Sequence, residues 1–294
     1  MKKLVSLSLA LVLSLSLAAC GGGGTAASPA PETAAPETTA PETQAPETPD
    51  AEAVELIVFA AASMTETLNQ IAEQYKDAAP NVTLTFNFDS SGTLKTQIEE
   101  GADCDVFLSA AQKQMNQIDA SRDADGGNTD ALDFVLQGTR INLVENKVTL
   151  VVPEGNPAGV SSFDDVAADK VSLIALGNSD VPVGQYSQEI FTYLGVWEQL
   201  NREQKITFGT NVKEVTSQVA EGAVDCGVVY GTDAYSAGLE VVAEAPADSH
   251  KPVVYPAAVL NRTKHEDEAR AFLDYLQTDA CSSVFESVGF SIPG

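Results

Sequence analysis

Four stretches of the sequence place small hydrogen-bond donors where a strand-like run gives way to a helical one. They are AAASMTETL with Ser63, FDSSGTLKTQIEEG with Ser90 and Ser91, DVPVGQY with its Pro-bearing helix entry, and GTNVKEV with Asn211. A helix that starts at such a point presents backbone N–H groups with no intrahelical acceptor and a partial positive charge. It holds an anion without any formal charge. None of the four stretches carries a lysine or arginine ahead of its helix. The chemistry on offer is anion binding by neutral donors. A hydrogen bond to a charged group is worth about 1.5 to 3 kcal/mol, against about 0.3 to 1 kcal/mol for the helix dipole. A local reading stands beside this one. Ser63 with Glu66 and Asn211 with Glu214 have capping spacing, and Ser90 or Ser91 equally suits a helix cap.

Other chemistry finds little support. A serine nucleophile needs a base, and the only two histidines, His250 in ADSHKP and His265 in TKHEDE, lie in polar surroundings. No GxSxG elbow, HExxH pair or GxxxxGK phosphate loop occurs. Catalysis is not expected. Past the N-terminal region the cysteines are Cys104, Cys226 and Cys281, an odd number without CxxC spacing, so buried thiols are expected and a metal site is not. Tyr230 in GVVYG, taken alone, reads as a core tyrosine with a satisfied hydroxyl.

The elements that must carry these turns alternate. Strand-like runs VELIVFAAA, VTLTFNF, CDVFLSA, KVTLVVP, VSLIAL, KITFGT and CGVVYG are interleaved with helical patterns from Met64 to Lys76, Thr93 to Glu100, Gln112 onward, Gln185 to Leu194 and Lys213 to Ala220. Such alternation predicts an α/β fold with mainly parallel sheets flanked by helices. IEEGADCDVFLSA and VAEGAVDCGVVYG repeat one design: helix end, Glu-Gly turn, Asp and Cys, buried strand. Their separation suits two lobes, and in open sheets of this kind ligands bind beyond the carboxyl ends of the strands.

The chain ends are of another nature. Lys2 and Lys3 precede the apolar run LVSLSLALVLSLSLAAC, which reads as a secretory signal and is short for a membrane span. LAAC followed by glycine resembles a lipobox, with Cys20 the lipidated residue. Residues 21–53 repeat APET without a large apolar side chain and should form an extended tether. The body from Val54 carries 14 basic against 36 acidic side chains. That balance argues against nucleic acid and anionic lipid as partners of the body.

Taken in order, FAAASMTETL, FDSSGTLKTQIEEGADCDVFLSA, VPVGQYSQEIFTYLGVW, TNVKEV, GVVYGTDA, DSHKPVVYPAAV and a closing SVGF resemble the molybdate-binding proteins of bacterial ABC importers. The likeness covers nearly all of residues 54–294. It implies a type II periplasmic-binding-protein fold, with lobe 1 from residues 54–143 and 254–294, lobe 2 from 144–253, and an oxyanion in the cleft between them. It implies ligand contacts from Ser63 and Ser91, through hydroxyl and backbone N–H, from the backbone N–H groups of Val183 and Val212, and from the phenol of Tyr230. It further implies a monomer without cofactor that closes on molybdate or tungstate and docks on a membrane permease served by separate ATPase subunits.

The physics suits such a ligand. Molybdate and tungstate at neutral pH only accept hydrogen bonds, whereas a protonated phosphate needs an acceptor. Asp89, beside the serine pair, departs from the small neutral residue often found there in the family. In the cleft its carboxylate would favour a protonated oxyanion; otherwise it bonds nearby backbone N–H groups. Sulfate or phosphate on the same fold, a surface lipoprotein without ligand, and a hydrolase are the competing readings.

Overall fold

The structure, a computed structural model, describes residues 52–124 and 126–294. The signal segment, Cys20 and nearly all of the tether lie outside the described residues. In the first lobe β1 (Val54–Ala61) leads through a 3-10 turn at Ala62–Met64 into α1 (Thr65–Ala78). Then follow β2 (Val82–Asp89), α2 (Ser91–Glu99), β3 (Val106–Leu108), α3 (Gln112–Asn116) and β4 (Ile141–Asn146). The second lobe runs β5 (Val148–Val152), β6 (Ile174–Gly177), α4 (Pro182–Tyr193), α5 (Trp197–Arg202), β7 (Ile206–Gly209), α6 (Val212–Ala220), β8 (Cys226–Tyr230), α7 (Gly231–Ala237) and β9 (Glu240–Glu244). The chain then returns to the first sheet as β10 (Val253–Val259) and ends in α8 (Glu266–Tyr275) and α9 (Asp279–Ser287).

Both sheets follow one plan. The first is ordered β2-β1-β3-β10-β4 and the second β7-β6-β8-β5-β9. In each, four of the five strands are mutually parallel and the fourth in order, supplied by the crossover, runs antiparallel to both its neighbours. The central strands are buried on both faces, which is why VFL, VTLVV and CGVVY read as unbroken apolar runs.

The two echoing segments occupy equivalent places, since β3 and β8 hold the same position in their sheets. Gly101 and Gly222 both adopt positive φ, 95° and 67°, at the ends of α2 and α6, as the helix-ending reading requires. Asp105 Oδ2 accepts the Ile57 N–H at 2.7 Å, and Asp225 Oδ2 accepts the Leu173 N–H at 3.0 Å. Each aspartate thus ties the start of its strand to the neighbouring one. Cys104, Cys226 and Cys281 are buried free thiols.

The lobe boundaries expected from sequence move slightly. β4 pairs with β10 as far as Asn146 opposite Val253, so Val144–Asn146 and Val253 belong to the first sheet and not to the second lobe. The run INLVENKVTLVV has no glycine or proline to mark the change, and the chain crosses between sheets through Lys147 alone. The return crossing is longer, residues 245–252.

Candidate functional site

The carboxyl ends of β1 and β2 and the starts of α2, α4 and α6 meet at a small chamber lined by Ser63, Asp89, Ser91, Pro182, Val212 and Tyr230, among others. Its volume is about 10 Å³, room for the centre of a single water-sized sphere. No basic side chain is part of its described lining.

Ser90 is the N-cap of α2, its Oγ accepting the Thr93 N–H at 3.1 Å. Ser91 is therefore released from capping. It is fully buried, and its Oγ accepts the Ala110 N–H at 2.9 Å. With one lone pair occupied from behind, the Ser91 hydrogen is left for the chamber. The Ser91 amide stands in the first turn of the helix, where no intrahelical acceptor exists.

Ser63 does not form the capping box that its spacing with Glu66 suggests. The 3-10 turn between strand and helix moves the cap position to Met64, which makes no side-chain cap. Ser63 Oγ instead lies 2.9 Å from the Tyr255 hydroxyl. Glu66 reaches the other lobe, where its carboxylate accepts from Lys213 Nζ at 2.8 and 2.9 Å.

Asn211 does cap α6, accepting the Glu214 N–H at 3.1 Å, which puts Val212 at the first helical position and on the chamber wall. The reciprocal half of a capping box is absent, because Glu214 bonds Thr210 N–H and hydroxyl. In α4 the wall is formed by Val181 and Pro182, with Val183 one residue further in and its side chain fully buried. Pro182 has no N–H, and the Gly184 and Gln185 amides bond the Val181 carbonyl. The Val183 amide is thus the donor left over in that turn.

Tyr230 closes the chamber. It is 1% exposed and its hydroxyl makes no hydrogen bond of normal geometry among the described residues. Burial, reinforced by Tyr255, Tyr186 and Asp233, holds its pKa well above the ordinary value. The phenol remains a neutral donor at any physiological pH. Asp89 also reaches the wall, but its Oδ1 accepts the Ser90 N–H at 2.7 Å and faces Asn211 Nδ2 at 3.4 Å. Asp89 thus lines the chamber and also bonds the backbone beside it.

The chamber is enclosed by contacts that no sequence spacing announced. The Gly92 N–H donates to the Asp180 carbonyl at 3.0 Å across the cleft. Lys213, bound to Glu66, also lies 3.2 Å from Asp233 of its own lobe. Burial works against the Lys213 charge, but Asp233 and Glu66 outweigh it and raise its pKa. Burial pushes the Asp233 carboxyl up to about 6, with Lys213 opposing. The glycine in SSGTL was the one available sign that two backbones approach here.

A family model described as bacterial extracellular solute-binding protein matches residues 56–291. YvgL of Bacillus subtilis, described provisionally as an ABC transporter substrate-binding lipoprotein, is 39% identical over 240 residues, 81% of this chain and 86% of that protein. The molybdate-binding protein ModA of Haemophilus influenzae is 35% identical over 246 residues, 82% of this chain and 91% of its own length. Among solved structures, the periplasmic molybdate-binding protein of Azotobacter vinelandii superposes with a TM-score of 0.69 at 24% identity, over 81% of this chain and all of that one. The paired sheets, the chamber between them and these relatives converge: the chain belongs to the bacterial extracellular solute-binding proteins, a transport family and not a family of enzymes.

Proposed function

We propose that the chain is the extracytoplasmic binding component of an ABC importer for molybdate, taking tungstate as well. The observation that carries this is the donor set of the chamber. Ser63, Ser91 and Tyr230 offer hydroxyl hydrogens, the starts of α2, α4 and α6 offer amides, and no lysine or arginine is part of the described lining. A tetrahedral dianion that only accepts hydrogen bonds is satisfied by donors alone. Ser63, Ser91, Val183, Val212 and Tyr230 are the ligand residues on this reading, the two valines acting through main-chain N–H.

Ligand bridging the lobes stabilises the closed form by contacts the open form lacks. Lys147 and residues 245–252 are the crossings about which the lobes move. The closed monomer docks on a membrane permease whose ATPase subunits are separate chains, and Cys20 carries the lipid anchor. The lipoprotein description of YvgL supports the anchor, and the ModA relatives support the ligand.

Asp89 is the observation that favours a protonated oxyanion such as phosphate. Its described partners are both protein donors, so its acceptor capacity is already engaged on one oxygen. Titration calorimetry of the chain freed of its first 20 residues, against molybdate, tungstate, sulfate and phosphate, separates the readings. Tight binding of the first two with weak sulfate is the expected result. Preference for phosphate or sulfate would retain the fold and overturn the substrate, and no binding by any of the four would leave a lipoprotein without this ligand.

A further inference from the structure

Behind Ser63 runs a hydrogen-bond chain that can be followed from its far end. Asn146, the last residue of β4, stands where the chain crosses between the sheets. Its Oδ1 accepts the Lys147 N–H at 2.8 Å, so the opposite end of the amide is the NH₂. That group donates to Thr232 Oγ1 at 2.8 Å, in the second lobe, and to Tyr255 Oη at 3.2 Å, in β10.

Tyr255 is fully buried. Already an acceptor from Asn146, its hydroxyl keeps one hydrogen to give, and Ser63 Oγ lies 2.9 Å away. With Tyr255 as donor Ser63 accepts, and among the described residues its hydroxyl makes no other hydrogen bond. Ser91 reaches the same condition by a shorter route, since Ala110 N–H donates to its Oγ at 2.9 Å. The Tyr255 phenol has its pKa raised well above normal by burial, so the relay keeps its hydrogen.

We propose that Asn146 and Tyr255 are positioning residues that turn Ser63 into a donor toward the bound oxyanion, and that this polarity excludes oxyanions carrying a proton. The proposal rests on Ser63 being a ligand residue. A hydrogen phosphate must place its own O–H on an acceptor, whereas sulfate, of similar size, carries no hydrogen. The two anions therefore read out the direction of the Ser63 hydroxyl with little contribution from volume. Because Asn146 also holds Thr232 of the second lobe, the same amide links the polarity of the site to the crossing between lobes.

The test is the Asn146→Asp variant. Its carboxylate still accepts from Lys147 and turns Tyr255 and Thr232 into donors. Ser63 then donates to Tyr255 and presents a lone pair to the chamber. Calorimetry should show the ratio of phosphate to sulfate affinity rising by about tenfold or more, with molybdate weakened, as expected for one reversed hydrogen bond to a charged ligand. Tyr255→Phe, which removes the link without adding charge, should raise the ratio by less and serves where Asn146→Asp does not fold. A uniform weakening of all anions, or an unchanged ratio in both variants, would overturn the relay. Ser63→Ala is measured beside them: loss of molybdate binding there with unchanged ratios defeats the relay alone, while unaltered binding removes Ser63 from the site and the relay with it.

Discussion

Replacing Gly92 by alanine should hold the molecule open without weakening its fold. Gly92 is the second residue of α2, and its N–H donates to the Asp180 carbonyl of the other lobe at 3.0 Å. A Cβ there would stand 2.3 Å from that oxygen and 2.8 Å from both Cα and Cβ of Asp180. Relief requires the two backbones to separate by about 1 Å, which takes the bond beyond hydrogen-bonding distance. The closed form then loses about 1 kcal/mol for the bond and about 1 to 3 kcal/mol for the overpacked contact. Together these come to about 2 to 4 kcal/mol, a fall in affinity of roughly 30-fold to 1000-fold.

The open form does not meet this clash. Gly92 lies within a helix, where alanine is favoured over glycine by up to about 1 kcal/mol. Unliganded Gly92→Ala protein should therefore melt at the wild-type temperature or above, while calorimetry shows molybdate bound far more weakly. Opposite signs in the two assays are the signature of a closure contact. A dissociation constant equal to wild type would refute the reasoning, and so would a parallel loss of unliganded stability, which would make Gly92 a folding residue.

Two further outcomes are expected. Ser91→Ala removes one hydrogen bond to a charged ligand and should weaken molybdate by about 1 to 3 kcal/mol; an unchanged dissociation constant removes Ser91 from the site. Asp233, fully buried with its carboxyl pushed up to about 6 by burial, keeps its proton to higher pH in the folded state than in the unfolded chain. The folded state then binds more protons between about pH 4 and 6, and the stability contributed by this group is lost as pH rises through that window. Two pH units correspond to about 3 kcal/mol. The stability of wild type minus that of Asp233→Asn, from denaturant melts at pH 4, 5, 6 and 7, should fall across the window and level off above it; a flat difference would show that Asp233 ionises in both states alike.

Much of the fold could be read locally. Apolar runs such as VTLVV and CGVVY marked central strands, and the Glu-Gly turns at Gly101 and Gly222 repeat in structure as they do in sequence. The donor turns were legible too, because a strand running into a helix through SSG or TN leaves amides exposed whatever the tertiary context. Ser63 shows where local spacing fails: S-x-x-E satisfied the capping pattern, but one 3-10 turn shifted the cap and freed both partners, Ser63 to Tyr255 and Glu66 to Lys213. Those partners lie 192 and 147 residues away, beyond any periodicity argument. The same holds for Gly92 with Asp180, whose contact joins the two lobes. A serine is legible in sequence as a hydroxyl, with one hydrogen and two lone pairs. Which of these it turns toward a ligand depends on what donates to it from behind, and at Ser63 that is Tyr255, directed by Asn146 at the crossing between lobes. On the proposed relay, selectivity against a protonated oxyanion depends on residues behind the chamber as well as on Asp89 in its wall.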